Sequence, residues 1–258
     1  MEHSGAESLY TPQSMEVPDT ERPENKDIFI QDPLLGHDPT FERRQHEYVW
    51  IARSLSAAFE KGENIHLGDE QQEILERVFI AMSVIDSLID DQKKEKQEVV
   101  KQIVGKSSAS EGLNRAMSEL ERLIEKHGDY PAYIADVARA ISYSGKESMQ
   151  DRHRESLYLG KAIAEAIERD GPRQKHLVKV LGVLASFANF SDDVVDYKED
   201  GKSGAWARKR AFATLREAKD LYRVSNNPNE YIRRIISQAF TYYGRQMVHK
   251  LLRKGGDT

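Results

Sequence analysis

Two apolar runs with helical spacing, far apart in the chain, each end in a cluster of aspartates. The first spans residues 78–91 and closes on Asp86, Asp90 and Asp91. The second runs from Leu177 to Phe190 and continues into Asp192, Asp193, Asp196 and Asp200. On a helix of 3.6 residues per turn, positions i, i+4 and i+8 share one face, so Asp192, Asp196 and Asp200 form a ladder. Like charges one turn apart weaken a helix. A hard divalent cation with a preference for oxygen ligands would offset that repulsion. Two such helices imply one shared cavity with metal at its mouth.

The rest of the chain carries no convincing strand pattern and no repeat. Its periodicity predicts an all-α fold, a single bundle of about eight helices. Residues 1–40 hold five of the eight prolines with many acids, and are expected to be a disordered tail. Within it, Ile28-Phe29-Ile30 is read as loosely tethered, with docking on the body as the alternative. Residues 41–254 form the helical domain. One helix is expected from Thr40 to about Glu60, and another from about Asp69 past Ile89, continuing weakly from Lys93 to Lys106. Further helices are expected at Glu111–Lys126, after Pro131, at Glu155–Ile167, at Ala205–Val224 and at Glu230–Arg253.

The chain has no cysteine, which excludes disulfides and thiolate chemistry. No stretch approaches the roughly 20 apolar residues needed to span a bilayer, and the N-terminus lacks an apolar signal core, so a cytoplasmic protein is expected. The net charge of −5 gives no global support to a nucleic-acid partner.

Asp192-Asp193-Val194-Val195-Asp196-Tyr197-Lys198-Glu199-Asp200 resembles the second aspartate-rich motif, DDxxDxxxD, of trans-prenyltransferases. It is also similar in spacing to the second metal motif of class I terpene synthases. Asp86-Ser87-Leu88-Ile89-Asp90 resembles their first motif, DDxxD, with Ser87 in place of the second aspartate. The resemblance implies an isoprenoid synthase-like bundle around a central cavity, a prenyl diphosphate substrate, Mg²⁺ as cofactor and a homodimer of the kind common in the family. Its implied metal ligands are Asp86, Asp90, Asp91, Asp192, Asp196 and Asp200, with Asp193 one residue off the shared face. Lys161 resembles the family's diphosphate lysine, Arg152 its diphosphate sensor, and Arg245 a late basic element. Lys198 and Lys202 flank the second motif. Phe79, Phe187 and Phe190 are candidates to line the pocket, where a carbocation needs dry, aromatic walls.

The chain departs from chain-elongating relatives. Lys93 and Lys94 stand where a pair of arginines follows the first motif, Arg43-Arg44 is the one early basic pair, and the GKxxR-type signature is missing. These departures favour ionisation of one diphosphate followed by cyclisation or elimination over prenyl transfer. A non-catalytic helical homologue acting as an interaction module is the alternative that Ser87 supports. A di-iron carboxylate site would require two Glu-x-x-His pairs, and the sequence has none.

Overall fold

A computed structural model describes residues 28–30, 39–105, 110–146, 148–198 and 201–234. Eight α-helices account for most of them: α1 (Pro39–Ala58), α2 (Asp69–Asp86), α3 (Lys96–Gly105), α4 (Glu111–His127), α5 (Tyr130–Tyr143), α6 (Met149–Ile167), α7 (Pro172–Asp196) and α8 (Gly204–Val224). Residues 228–234 begin a further helix, and there is no strand among the described residues. The all-α expectation holds.

Short polar side chains set the helix starts. Ser110 accepts from the Leu113 N–H at 3.0 Å, Asp129 from Ala132 at 3.0 Å and Ser203 from Trp206 at 3.2 Å. Ser148 accepts from Asp151 in the same way, so α6 begins at Met149, a turn and a half before the expected Glu155. Pro131 sits in the first turn of α5, where its missing N–H has no partner to lose.

Two helices do not end as their periodicity predicts. α1 and α2 each pass into a π-helical turn, Phe59–Glu63 and Ser87–Asp91. Each wider turn shifts the side chains that follow it around the axis. The second helix therefore does not run on through Lys93. Lys93 adopts the left-handed conformation at φ 53°, and the chain restarts as α3 at Lys96.

The helices packed on α2, namely α1, α4 and α6, run antiparallel to it. α2 starts beside the ends of α4 and α6: Lys126 pairs with Glu70 at 3.1 Å, and Gln71 donates to the Ile167 carbonyl at 2.7 Å. α2 is buried on nearly every side, from Ile74 through Ile85, and forms the centre of the core. α6 and α7 approach closely at Gly160, where an added Cβ would meet the Gly182 nitrogen at 2.5 Å. Among the described residues, no helix is long and apolar enough to cross a membrane.

Residues 28–30, expected in the loose tail, are docked. Ile28 and Ile30 are buried, and the Gln45 side chain bonds both the N–H and the C=O of Ile30, at 2.8 and 2.9 Å. One buried amide thus satisfies both backbone groups of Ile30, which a pattern of local spacing does not reveal.

Candidate active site

The ends of α2 and α7 and the starts of α6 and α8 meet at one end of the bundle. On α1, Arg44 and Tyr48 stand one turn apart and both reach the end of α2. The Tyr48 hydroxyl donates to Asp86 Oδ2. Arg44 donates to Ser87 Oγ at 2.9 Å and pairs with Asp91 Oδ2 at 3.1 Å. Phe79, two turns before Asp86, is buried with its ring centroid 6.2 Å from that of Tyr48.

Burial pushes the Asp86 carboxyl up to about 6, against the pull of Tyr48 and Arg44 and with the help of the like charges of Asp90 and Glu155. Burial and the Asp86 charge together push the Tyr48 hydroxyl well above its ordinary value.

Glu155 belongs to α6 and accepts from Arg152 at 3.0 Å. Arg152 also donates to Asp193 Oδ1 at 3.3 Å. Burial opposes the charge of this guanidinium, but Glu155, Asp193 and Asp192 raise its pKa. Arg210 of α8, almost fully buried, lies 3.4 Å from Asp193 Oδ2. Its guanidinium stacks over Trp206 at 4.7 Å and Phe190 at 5.5 Å. Lys202 sits 6.0 Å over the same Trp206 ring. A chain of charges, Asp86 to Glu155 to Arg152 to Asp193 to Arg210, therefore links the two aspartate clusters across α6.

Several expected residues are found here. Asp86, Asp90, Asp91, Asp192 and Arg152 all share this end of the bundle. Asp193, expected off the shared face, is the residue turned inward between two arginines, whereas Asp192 is exposed. Lys198 is exposed, 5.9 Å over its neighbour Tyr197. Phe187 and Phe190 are buried.

Lys161 is carried elsewhere. It lies nine residues from Arg152, half a turn around α6, and so on the opposite face. There it pairs with the buried Asp136 at 2.6 Å and with Glu165 at 3.1 Å. The Asp196 side chain, Asp200 and Arg245 lie outside the described residues.

Sequence reasoning missed Tyr48, Arg44, Glu155 and Arg210. Arg44 and Tyr48 share one face at i, i+4, but only the docking of α1 on α2 gives that face its meaning.

Among the described residues, no three His, Asp or Glu side chains converge on one point. Mg²⁺ does not need such a cage, because it binds through one or two carboxylates and completes its shell with water and phosphate oxygens. The donor set fits that chemistry. Asp86 and Asp90 supply hard oxygens, and their mutual repulsion with Glu155 is the charge that a divalent cation offsets. Cavities of about 360 and 280 Å³ are both lined by Tyr130, and neither of these borders an aspartate cluster.

No protein-family model, no curated protein and no solved structure matches this chain.

Proposed function

We propose that this protein is a Mg²⁺-dependent enzyme that ionises an allylic prenyl diphosphate, with cyclisation or elimination preferred over prenyl transfer. The observation that carries the reading is the meeting of both acidic helix ends at one end of the bundle, with Arg152 and Arg210 between them and the solvent-facing Asp192 alongside.

Asp86 and Asp90 at the end of α2 and Asp192 at the end of α7 are the residues that would hold the metal, and the resemblance adds Asp91, Asp196 and Asp200 to that set. Bound Mg²⁺ supplies electrostatic stabilisation of the departing diphosphate and a template for its oxygens. Arg152 and Arg210 are held in place by Asp193, and a diphosphate competes with that carboxylate for their N–H groups. Tyr48 orients Asp86 through its hydroxyl. Arg44 fixes the π-helical turn by gripping Ser87 and Asp91 at its two ends.

Incubation with geranyl, farnesyl and geranylgeranyl diphosphates and Mg²⁺ tests the reading. The expected result is diphosphate release that Asp86→Ala and Asp192→Ala abolish. Release from none of the three substrates sinks it.

A second reading, a non-catalytic helical module, is favoured by one observation: Asp91 and Asp193 are already neutralised by Arg44, Arg152 and Arg210. Under that reading, Mg²⁺ with diphosphate leaves the melting temperature unchanged.

A further inference from the structure

Helix α8 buries one face through Ala207, Ala213 and Leu221 and turns the other to solvent. The outer face carries large apolar side chains: Phe212 is 71% exposed, Leu215 67% and Tyr222 55%. Tyr222 ties its hydroxyl to Asn229. Arg208, Lys209, Arg216, Lys219 and Arg223 are exposed on the same face. At 3.6 residues per turn, these eight positions fall within an arc of about 140°, with cations and apolar groups interleaved.

The helix holds six Lys or Arg against two acids, Glu217 and Asp220, in a chain whose net charge is −5. Glu217 is buried, 3.7 Å from His153. Asp220 pairs with Arg223 at 2.9 Å and lies 4.0 Å from Arg216. The helix is thus a strongly positive ridge on an acidic protein, and its outer surface keeps a cationic excess.

We propose that this outer face of α8 docks the protein on an anionic lipid surface. Phe212 and Leu215 enter the headgroup boundary, and the flanking cations meet lipid phosphates. Charge alone would suit any polyanion. Two large apolar side chains set among the cations favour lipid, because the phosphate backbone of a nucleic acid gives them nothing to bury against. The inference concerns a face on the outside of α8 and stands apart from the prenyl diphosphate reading.

Co-sedimentation of the full chain with vesicles tests it. At low salt, the protein is expected to pellet with phosphatidylcholine–phosphatidylglycerol vesicles and to stay in solution with phosphatidylcholine alone. The pair Arg216→Glu and Lys219→Glu lowers the partition at least about tenfold. The pair Phe212→Ser and Leu215→Ser lowers it about tenfold at unchanged melting temperature, since both side chains are exposed in the free protein. No pelleting with anionic vesicles overturns the proposal. So does binding to duplex DNA as tight as to vesicles that the Phe212 and Leu215 pair leaves intact, which marks a nucleic-acid surface instead. Vesicle binding unchanged by both pairs moves the contact to another face and equally ends it.

Discussion

The two ends of the bundle each bury a carboxylate, and they treat it in opposite ways. At one end, Glu63 in the π-helical turn after α1 is fully enclosed and well supplied with donors. His176 of α7 reaches it at 2.8 Å, the Ser225 hydroxyl donates at 2.5 Å and the Asn226 N–H at 3.2 Å. Three segments distant in sequence are joined through one side chain. At the other end, Asp86 receives Tyr48 but faces the like charges of Asp90 and Glu155. A buried acid surrounded by donors holds a fold together. A buried acid surrounded by other acids strains it, and such strain is characteristic of sites that await a cation.

The largest effect that separates the two ends should come from Glu63→Ala. It leaves the donors of His176, Ser225 and Asn226 without their acceptor. The expected loss is about 3–5 kcal/mol in denaturant unfolding. A loss under about 1 kcal/mol would erase the contrast.

Asp86→Asn should act in the other direction. The folded pKa of Asp86 is about 6, above its usual 3.8, so the folded state holds this proton more tightly than the unfolded chain does. Stability from this group is therefore complete below about pH 4 and is lost as pH rises through about 6. Asparagine removes that loss and keeps an acceptor for Tyr48. The variant should be more stable than wild type by roughly 3 kcal/mol near pH 8 and equal to it near pH 4. It should also release no diphosphate. Gaining stability while losing turnover would mark Asp86 as a strained site residue; losing stability at high pH would place it with Glu63.

The Asp136, Lys161 and Glu165 cluster between α5 and α6 sharpens the comparison. Burial and the neighbouring Asp136 hold the Glu165 carboxyl above its usual range, and the hydrogen bond from Lys161 draws it down. Its stability contribution is likewise lost as pH rises through the raised pKa. Lys161→Met should therefore cost about 2 kcal/mol, more at alkaline than at acid pH. The turnover of the folded fraction should not change, because Lys161 points away from Arg152. A large fall in kcat at full folding would return this lysine to the site.

Much of the architecture is written in the periodicity of α4, whose single apolar face of Leu113, Met117, Leu120 and Ile124 allows only one packing direction. The π-helical turns are not, since neither FEKGE nor SLIDD carries a residue that demands the wider turn. Nor does Lys93 announce its left-handed backbone, as a glycine or asparagine would have done. At the site, the acidic clusters are legible because charge on an apolar helix is locally anomalous. The groups that answer them are not. Arg44, Glu155 and Arg210 come from three other helices, and each looks like an ordinary surface charge until the helices are packed. Lys161 is the instructive case: its half-turn separation from Arg152 follows from helix geometry alone, and the fold pairs it with Asp136 and Glu165 on the other face of α6.

The smallest predicted effects come from neighbouring arginines that the sequence does not distinguish. Arg43 is exposed and pairs with Glu47 one turn on at 3.7 Å, so Arg43→Ala should change stability by less than about 0.5 kcal/mol. Arg44 grips Ser87 and Asp91 at both ends of the π-helical turn and lowers the Asp86 pKa. Arg44→Ala should cost about 1 kcal/mol and push the Asp86 titration higher still, visible as a shifted pH–stability midpoint. Because the two substitutions remove the same charge one residue apart, net charge cannot explain a difference between them. Equal midpoints in both variants would mean that Arg44 does not act on Asp86, and the charge balance drawn for the acidic end would have to be redrawn without α1.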